Sequence, residues 1–374
     1  MSMDVSSEMI HSLLPLYLVA VMGVGAGAVG LLEGVAESTV LVVKMFSGAI
    51  SDRLGKRKTP VLAGYSLAAL AKPLFPLAGS FNTIVAARII DRIGKGIRGA
   101  PRDALIADLV SSEQRGAAYG LRQSLDTVGA LAGPLLASLL MRKFDGNFRM
   151  VFWVAVAPAF LSVLTLALFV REPPGPVNEG SSRPRLRWSE LQYYPKMFWL
   201  VVGVGALFTL SRFSEAFLIL RAGSLGIDRN DVPLVMVVMN AVYAASAYPA
   251  GRLSDRINRR TLLAIGAGVL IVADLFLAQA KGVPMLMTGV GLWGLHMGLT
   301  QGLFAALVAD HAPSERRGTA FGLFSLVSGV AMFLASVIAG QLWDRAGAPS
   351  TFYAGAGFAA MAFFLLASIR SPKN

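Results

Sequence analysis

Seven of the charges in the fourth long apolar stretch of this chain stand close together: Arg88, Asp91, Arg92, Lys95, Arg98, Arg102 and Asp103. At about 100° per residue they share one stripe roughly 140° wide. Charge at bilayer depth is costly unless it meets water or a partner. A single polar stripe on an apolar helix therefore predicts a wet cavity beside residues 88–95, while Arg102 and Asp103 near the helix end can be solvated. The chemistry on offer is anion binding by guanidinium and ammonium groups, and proton exchange by carboxylates whose counter-charge comes and goes. Partners stand at helical spacings elsewhere: Asp4 and Glu8 at i,i+4, Glu33 and Glu37 at i,i+4 with Lys44 two turns on, Arg122 and Asp126 at i,i+4, and Arg212 and Glu215 at i,i+3. For Glu33 and Lys44 a static ion pair and a functional role weigh equally. Arg92, in mid-stripe, is expected to hold Asp4, Glu8 or Asp126 ionised in one conformation and release it in another. The second half carries fewer such groups, and its ninth, eleventh and twelfth spans read as nearly neutral, so proton coupling is expected in the first half.

The elements that must position these groups are membrane helices. The chain has 374 residues, 55% hydrophobic and only 15% charged, with a mean hydropathy of +0.61. A span needs about 20 apolar residues. On that ruler, spans fall at roughly 9–21, 27–50, 60–79, 82–109, 116–141, 148–170, 197–219, 232–252, 262–280, 284–309, 319–342 and 350–369. The first is short, which leads to the expectation that helix 1 is truncated at its N-terminus. The net charge of +12 does not indicate nucleic acid, because the arginines form no single basic tail. They cluster after even-numbered spans: Arg53, Lys56, Arg57 and Lys58; Arg115; Arg171 to Lys196; Arg252, Arg256, Arg259 and Arg260; Arg316 and Arg317. Those loops are expected in the cytoplasm. Arg142, Lys143 and Arg149 form a mild exception. The absence of cysteine excludes disulfides, thiolate metal sites and thiol catalysis.

Two motifs recur at nearly one offset. Gly48-Ala-Ile-Ser-Asp52-Arg53-Leu-Gly55-Lys-Arg57 returns as Gly251-Arg-Leu-Ser-Asp255-Arg256-Ile-Asn-Arg-Arg260, and 255 − 52 = 203. Ala104 to Asp108 with Arg115-Gly116 returns as Ala306 to Asp310 with Arg317-Gly318, and 317 − 115 = 202. Such a duplication predicts two bundles of about six helices, the same way up. The expected division is 1–170, a polar linker at 171–196, and 197–374.

Gly48 to Lys58 resembles the loop motif of the major facilitator superfamily, and the resemblance runs over nearly the whole chain. It implies an all-α integral membrane protein of twelve spans in two pseudo-symmetric six-helix bundles. It also implies a cytoplasmic gate built from Gly48, Asp52, Arg53, Gly55, Arg57, Asp108 and Arg115, with Gly251, Asp255, Arg256, Arg260, Asp310 and Arg317 in the second repeat. In that gate Gly48 permits close helix approach, and Asp52 meets a helix N-terminus or an arginine. Gly129, Gly133 and Pro134 resemble the family's helix-5 motif, associated with antiporters and hence export, although Ala137 and Ser138 stand where a further glycine is usual. Physically, glycines at i and i+4 allow close helix packing. Arg92 to Gly96 resembles the helix-4 motif, with Arg98 replacing the usual small residue.

Other signals fail on context. Gly25-x-Gly27-x-x-Gly30 and two similar runs follow no strand, so they do not bind a dinucleotide. No P-loop occurs, and His11, His296 and His311 are dispersed. No cofactor and no metal is expected, and no enzymatic constellation is visible. The expectation is alternating-access transport of a small organic molecule, anionic or zwitterionic, with its site near the midplane between the halves. It is proton-driven and directed outward, by a monomer in a bacterial inner membrane. The alternatives are proton-coupled uptake and a transporter-like sensor.

Overall fold

A computed structural model describes residues 1–54, 56–111, 114–171, 194–254, 257–312 and 317–368. Fifteen helices and no strand occur among them. They are α1 (Ser2–His11), α2 (Leu14–Ala20), α3 (Ala26–Leu54), α4 (Lys58–Ala71), α5 (Leu74–Leu77), α6 (Phe81–Leu109), α7 (Arg115–Lys143) and α8 (Phe148–Phe169). The second half contributes α9 (Lys196–Ser211), α10 (Ala216–Ser224), α11 (Leu234–Ser254), α12 (Arg259–Gln279), α13 (Val283–His311), α14 (Arg317–Ala346) and α15 (Ala348–Ser368). The expected first, third and seventh spans are each broken in two, as α1–α2, α4–α5 and α9–α10. Helix starts follow local chemistry. The Ser80 side chain accepts from Thr83 N at 3.4 Å to open α6, and Asn147 accepts from Met150 N at 3.3 Å to open α8. Between α7 and α8 the chain reverses through Asp145 and Gly146, both at positive φ.

The described residues of Met1–Val24, Val35–Arg183 and Asp228–Val237 make one compact unit; those of Gly25–Gly34, Pro184–Ile227 and Val238–Asn374 make another. In the first unit α1 packs on α7 and α8, and α4 packs on α6 and α8. In the second, α9 packs on α14 and α15, and α12 packs on α13 and α15. The second pattern repeats the first in chain order, which is the duplication of the sequence expressed as packing. α1 is seated on α7 and α8, and its acids Asp4 and Glu8 remain within electrostatic reach of Lys95 on α6.

Among the described residues, nine helical segments are long and apolar enough to cross a membrane, including Ala26–Gly48, Phe148–Phe169 and Arg259–Gln279. α6 falls outside that group because its charges lower its hydropathy. Large apolar side chains stay exposed in rows, such as Leu121, Leu125, Val128, Leu135 and Leu139 on α7, and Phe160, Leu161, Leu164 and Leu168 on α8. Apolar rows of this length suit hydrocarbon rather than water. The inward faces are close-packed. In the second unit Phe213 lies within 5.5 Å, centroid to centroid, of Phe217, Trp293 and Phe352.

Candidate functional site

The site is built on the crossing of α4 and α6. A Cβ at Gly94 would lie 2.6 Å from the Gly64 carbonyl oxygen, and one at Gly64 would lie 2.7 Å from the Gly94 carbonyl oxygen. The two backbones therefore touch, as small residues in membrane helices permit. Just past the end of α4, Lys72 reaches Asp91 on α6. Its Nζ stands 2.9 Å from Asp91 Oδ1 and donates to Ser7 Oγ at 2.9 Å. Arg92 Nε is 3.4 Å from the other Asp91 oxygen, and Arg92 Nη1 donates to Glu37 Oε1 at 3.1 Å. Arg88 Nη2 lies 3.9 Å from the same Glu37 oxygen. Lys72, Arg88, Asp91 and Arg92 are at most 2% exposed. Cation and carboxylate thus alternate through the interior of the first unit, which is how buried charge is tolerated.

The same stripe continues with its counter-charges at longer range, Asp4 acting on both Lys95 and Arg98. Among the described residues, Lys95 and Arg98 have no carboxylate oxygen within 4.0 Å, although Glu8 and Glu37 act on Lys95 from further away. Arg98 is 4% exposed, its guanidinium lies over the Tyr65 ring at 4.7 Å, and its Nη1 makes no hydrogen bond. Further along, Arg122 donates from Nη1 to Asp103 Oδ1 at 2.6 Å and from Nε to Asp126 Oδ2 at 3.2 Å. Arg102 Nη2 stands 3.5 Å from Asp126, and Lys44 Nζ stands 4.0 Å from Asp103. This second cluster is partly solvated.

The short ion pairs of Arg92 are with Glu37 and Asp91, while Glu8, one of the three expected partners, acts on it electrostatically from further away. The reason is the glycine seam of α7. Cβ atoms at Gly129 and Gly133 would lie 2.8 Å from Asp4 Cβ and 2.6 Å from Glu8 Cβ, so the two acids of α1 ride on the two glycines of α7. Glu8 then meets His11 at 3.5 Å, and Asp126 is taken by Arg122 and Arg102. Pro134 lies inside α7, next to this seam. Glu33 is buried in the second unit while Glu37 belongs to the first, and Lys44 turns to Asp103 instead of either. Arg212 and Glu215 occupy the break between α9 and α10, within electrostatic reach of each other and of Tyr243.

Some of the residues expected to form a gate are in view. A Cβ at Gly48 would lie 3.3 Å from Ala100 Cβ of α6. Arg57 Nε is 3.4 Å from Asp108 Oδ2, and Arg57 Nη1 donates to Ser51 Oγ at 3.2 Å. In the second repeat a Cβ at Gly251 would meet nothing within 4 Å, and Arg260 Nη2 lies 3.7 Å from Met197 Sδ. Gly55, Asp255 and Arg256 lie outside the described residues, as do the side chains of Asp52, Arg53, Arg115, Asp310 and Arg317.

Three residues escaped the sequence reading. Lys72 sits in the third apolar run, and a lone lysine there is a signal in itself. Asp274, on the ninth span, is 0% exposed, and neither of its carboxyl oxygens has a hydrogen-bond partner. Asp344 accepts from Ala26 N at 3.0 Å and Gly27 N at 2.7 Å, capping the start of α3. Among the described residues no group of three or more His, Asp or Glu could hold a metal.

This architecture, helices in a duplicated packing pattern around buried charge, is that of a membrane transporter. The Major Facilitator Superfamily model matches residues 1–221 and again 204–374. An uncharacterized MFS-type transporter of Methanocaldococcus jannaschii is 34% identical over 346 residues, covering 91% of this chain and 85% of that one. The chain belongs to the major facilitator superfamily, a family of transporters rather than enzymes, and is a multi-pass membrane protein. The quinolone resistance protein NorA of Staphylococcus aureus is 23% identical over 344 residues, 88% of this chain and 84% of its own. The crystal structure of an Asp-to-Ala mutant of the nucleoside transporter NupG superposes with a TM-score of 0.80 at 12% identity, over 98% of each chain.

Proposed function

We propose that the protein is a proton-coupled exporter of a small organic molecule bearing an anionic group. The observation that carries this reading is the imbalance on α6: Arg88 and Arg92 face Asp91 and Glu37, whereas Lys95 and Arg98, a turn further on, have no close carboxylate. A guanidinium keeps its charge at physiological pH, and an unpaired buried one is a standing site for an anion. A zwitterion satisfies the same site when its cationic end meets Glu8 or Glu37. Export is favoured by Gly129, Gly133 and Pro134, which match the antiporter-associated motif, and by the likeness to the quinolone resistance relatives. The protein works by alternating access as a monomer in a bacterial inner membrane, with its basic loops inside.

The test is a screen of labelled organic anions, zwitterions and fluoroquinolones in proteoliposomes, with and without an imposed pH gradient. The expected result is substrate movement opposite to the proton flow. Lys95→Gln and Arg98→Gln should each raise the half-saturating concentration about tenfold, the loss of roughly one charge-assisted contact. Movement with the protons would make the protein an uptake symporter, and absence of any gradient-dependent movement would favour a sensor.

A further inference from the structure

The repeat offset ties together two residues that the sequence motifs do not mark: 274 − 72 = 202, so Asp274 of the second half occupies the place of Lys72 in the first. In the first half the position is neutralised, because Lys72 bonds Asp91 at 2.9 Å. The residue equivalent to Asp91 is Trp293, since 293 − 91 = 202. The second half therefore keeps an ionisable group at this depth and replaces its counter-charge with an indole.

The surroundings of Asp274 leave it without a cation. α12 carries no other charged side chain beyond Arg259 and Arg260 at its far end. α13 presents His296, whose Nδ1 is engaged with the Gly266 carbonyl at 2.8 Å and whose ring stacks on Phe208. α15 offers one titratable group, Tyr353, which is exposed. From α10, Arg221 spends its donors on the carbonyls of Leu277, Ala278 and Ala280 at 2.8–3.1 Å, closing the end of α12. Arg212 and Glu215 lie in the break before α10, and no cation comes within 4.0 Å of Asp274 among the described residues. Space for the carboxyl is made by a glycine: a Cβ at Gly355 would stand 2.6 Å from Asp274 Oδ2 and 3.0 Å from Phe213 Cε1. An ionised carboxylate without a partner is not tolerated in such a setting, whereas a neutral carboxylic acid is.

We propose that Asp274 is a proton-binding site of the second half: it holds a proton in the conformation seen here and releases it when movement of α12 against α13 and α15 admits water. The proton is taken from water and returned to water, with no other co-reactant. That the site exists is independent of the proposed function; that it couples proton flow to transport rests on the proton-driven reading above.

Two measurements separate these points. Infrared difference spectra of purified wild type and Asp274→Asn at neutral pH should show the C=O stretch of a protonated carboxyl only in the wild type. Gly355→Ala should shift that band by pressing on Oδ2, which keeps the test alive if Asp274→Asn fails to fold. In proteoliposomes, Asp274→Asn should retain substrate exchange at equal pH and lose at least tenfold in accumulation driven by a pH gradient. A wild type with the infrared band but no pH-driven accumulation would sink the proton-driven reading and leave the site standing. Absence of the band, or full pH-driven accumulation by Asp274→Asn, would overturn the inference.

Discussion

Gly94→Ala adds one methyl group at the point where α4 and α6 touch. Its Cβ would stand 2.6 Å from the Gly64 oxygen, 2.8 Å from Ala68 N and 3.0 Å from Ala68 Cβ. The two closest atoms are helical backbone, so no side chain can swing away. Restoring an ordinary 3.4 Å contact requires the helices to separate by 3.4 − 2.6 = 0.8 Å. Overpacking of this kind costs about 1–3 kcal/mol. The gain in helix propensity from Gly to Ala, about 1 kcal/mol, offsets only part of it. The separation also pulls Lys72 from Asp91, whose 2.9 Å bond cannot stretch by that amount and survive. Gly94→Ala should therefore lower the melting temperature in detergent and reduce transport together. Gly203→Ala on α9 and Gly357→Ala on α15 serve as controls, because a Cβ at either meets nothing within 4 Å. They should melt at or above the wild-type temperature. If Gly94→Ala behaves like these controls, the backbone crossing does not position the charged site and the packing argument fails.

Two further predictions follow from charged groups that the motifs do not include. Lys72→Met leaves Asp91 with only the 3.4 Å contact to Arg92 and should cost about 3–5 kcal/mol, whereas Lys72→Met with Asp91→Leu should recover most of it. Equal melting temperatures for the single and double variants would show that the pair is not compensating. Asp344→Ala removes two charge-assisted hydrogen bonds to the start of α3, each worth about 1.5–3 kcal/mol, and should expose that helix end at least roughly 100-fold more often. The chain has no native cysteine, so Val24→Cys labelling by an impermeant maleimide reads this directly. Unchanged labelling would show that the cap does not hold α3.

What the sequence displayed best was what repeats. The 202–203 offset, carried by short motifs, predicted a duplicated helical bundle, and the packing of α1 and α4 within the first unit is repeated by α9 and α12 within the second. The span limits were legible too, α6 beginning and ending within a residue of expectation. Partnership was not legible. The i,i+4 rule correctly joined Arg122 to Asp126, since both stand on one helix. It said nothing of Lys72 and Asp91, 19 positions apart, because contact between helices depends on where Gly64 and Gly94 let backbones meet. Asp274 escaped for a different reason: a single acid in a hydrophobic run barely alters hydropathy, and only its missing partner makes it notable.

The two halves thus handle the same problem in opposite ways. In the first, charge is dense and mostly cancelled, so moving any one of Lys72, Asp91, Arg92 or Glu37 disturbs the others, and the cluster resists rearrangement. Lys95 and Arg98 stand at the edge of that cancellation, with Glu8, Glu37 and Asp4 acting on them only from beyond 4.0 Å, and the proposed anion would complete it. In the second, charge is sparse and Asp274 has nothing to cancel it, so its state depends on water alone. A fold made by duplication would carry equal groups at equal places if they served only packing. The exchange of Lys72 and Asp91 for Asp274 and Trp293 breaks that equality at one depth, which is the asymmetry expected if anion and proton are handled by different repeats.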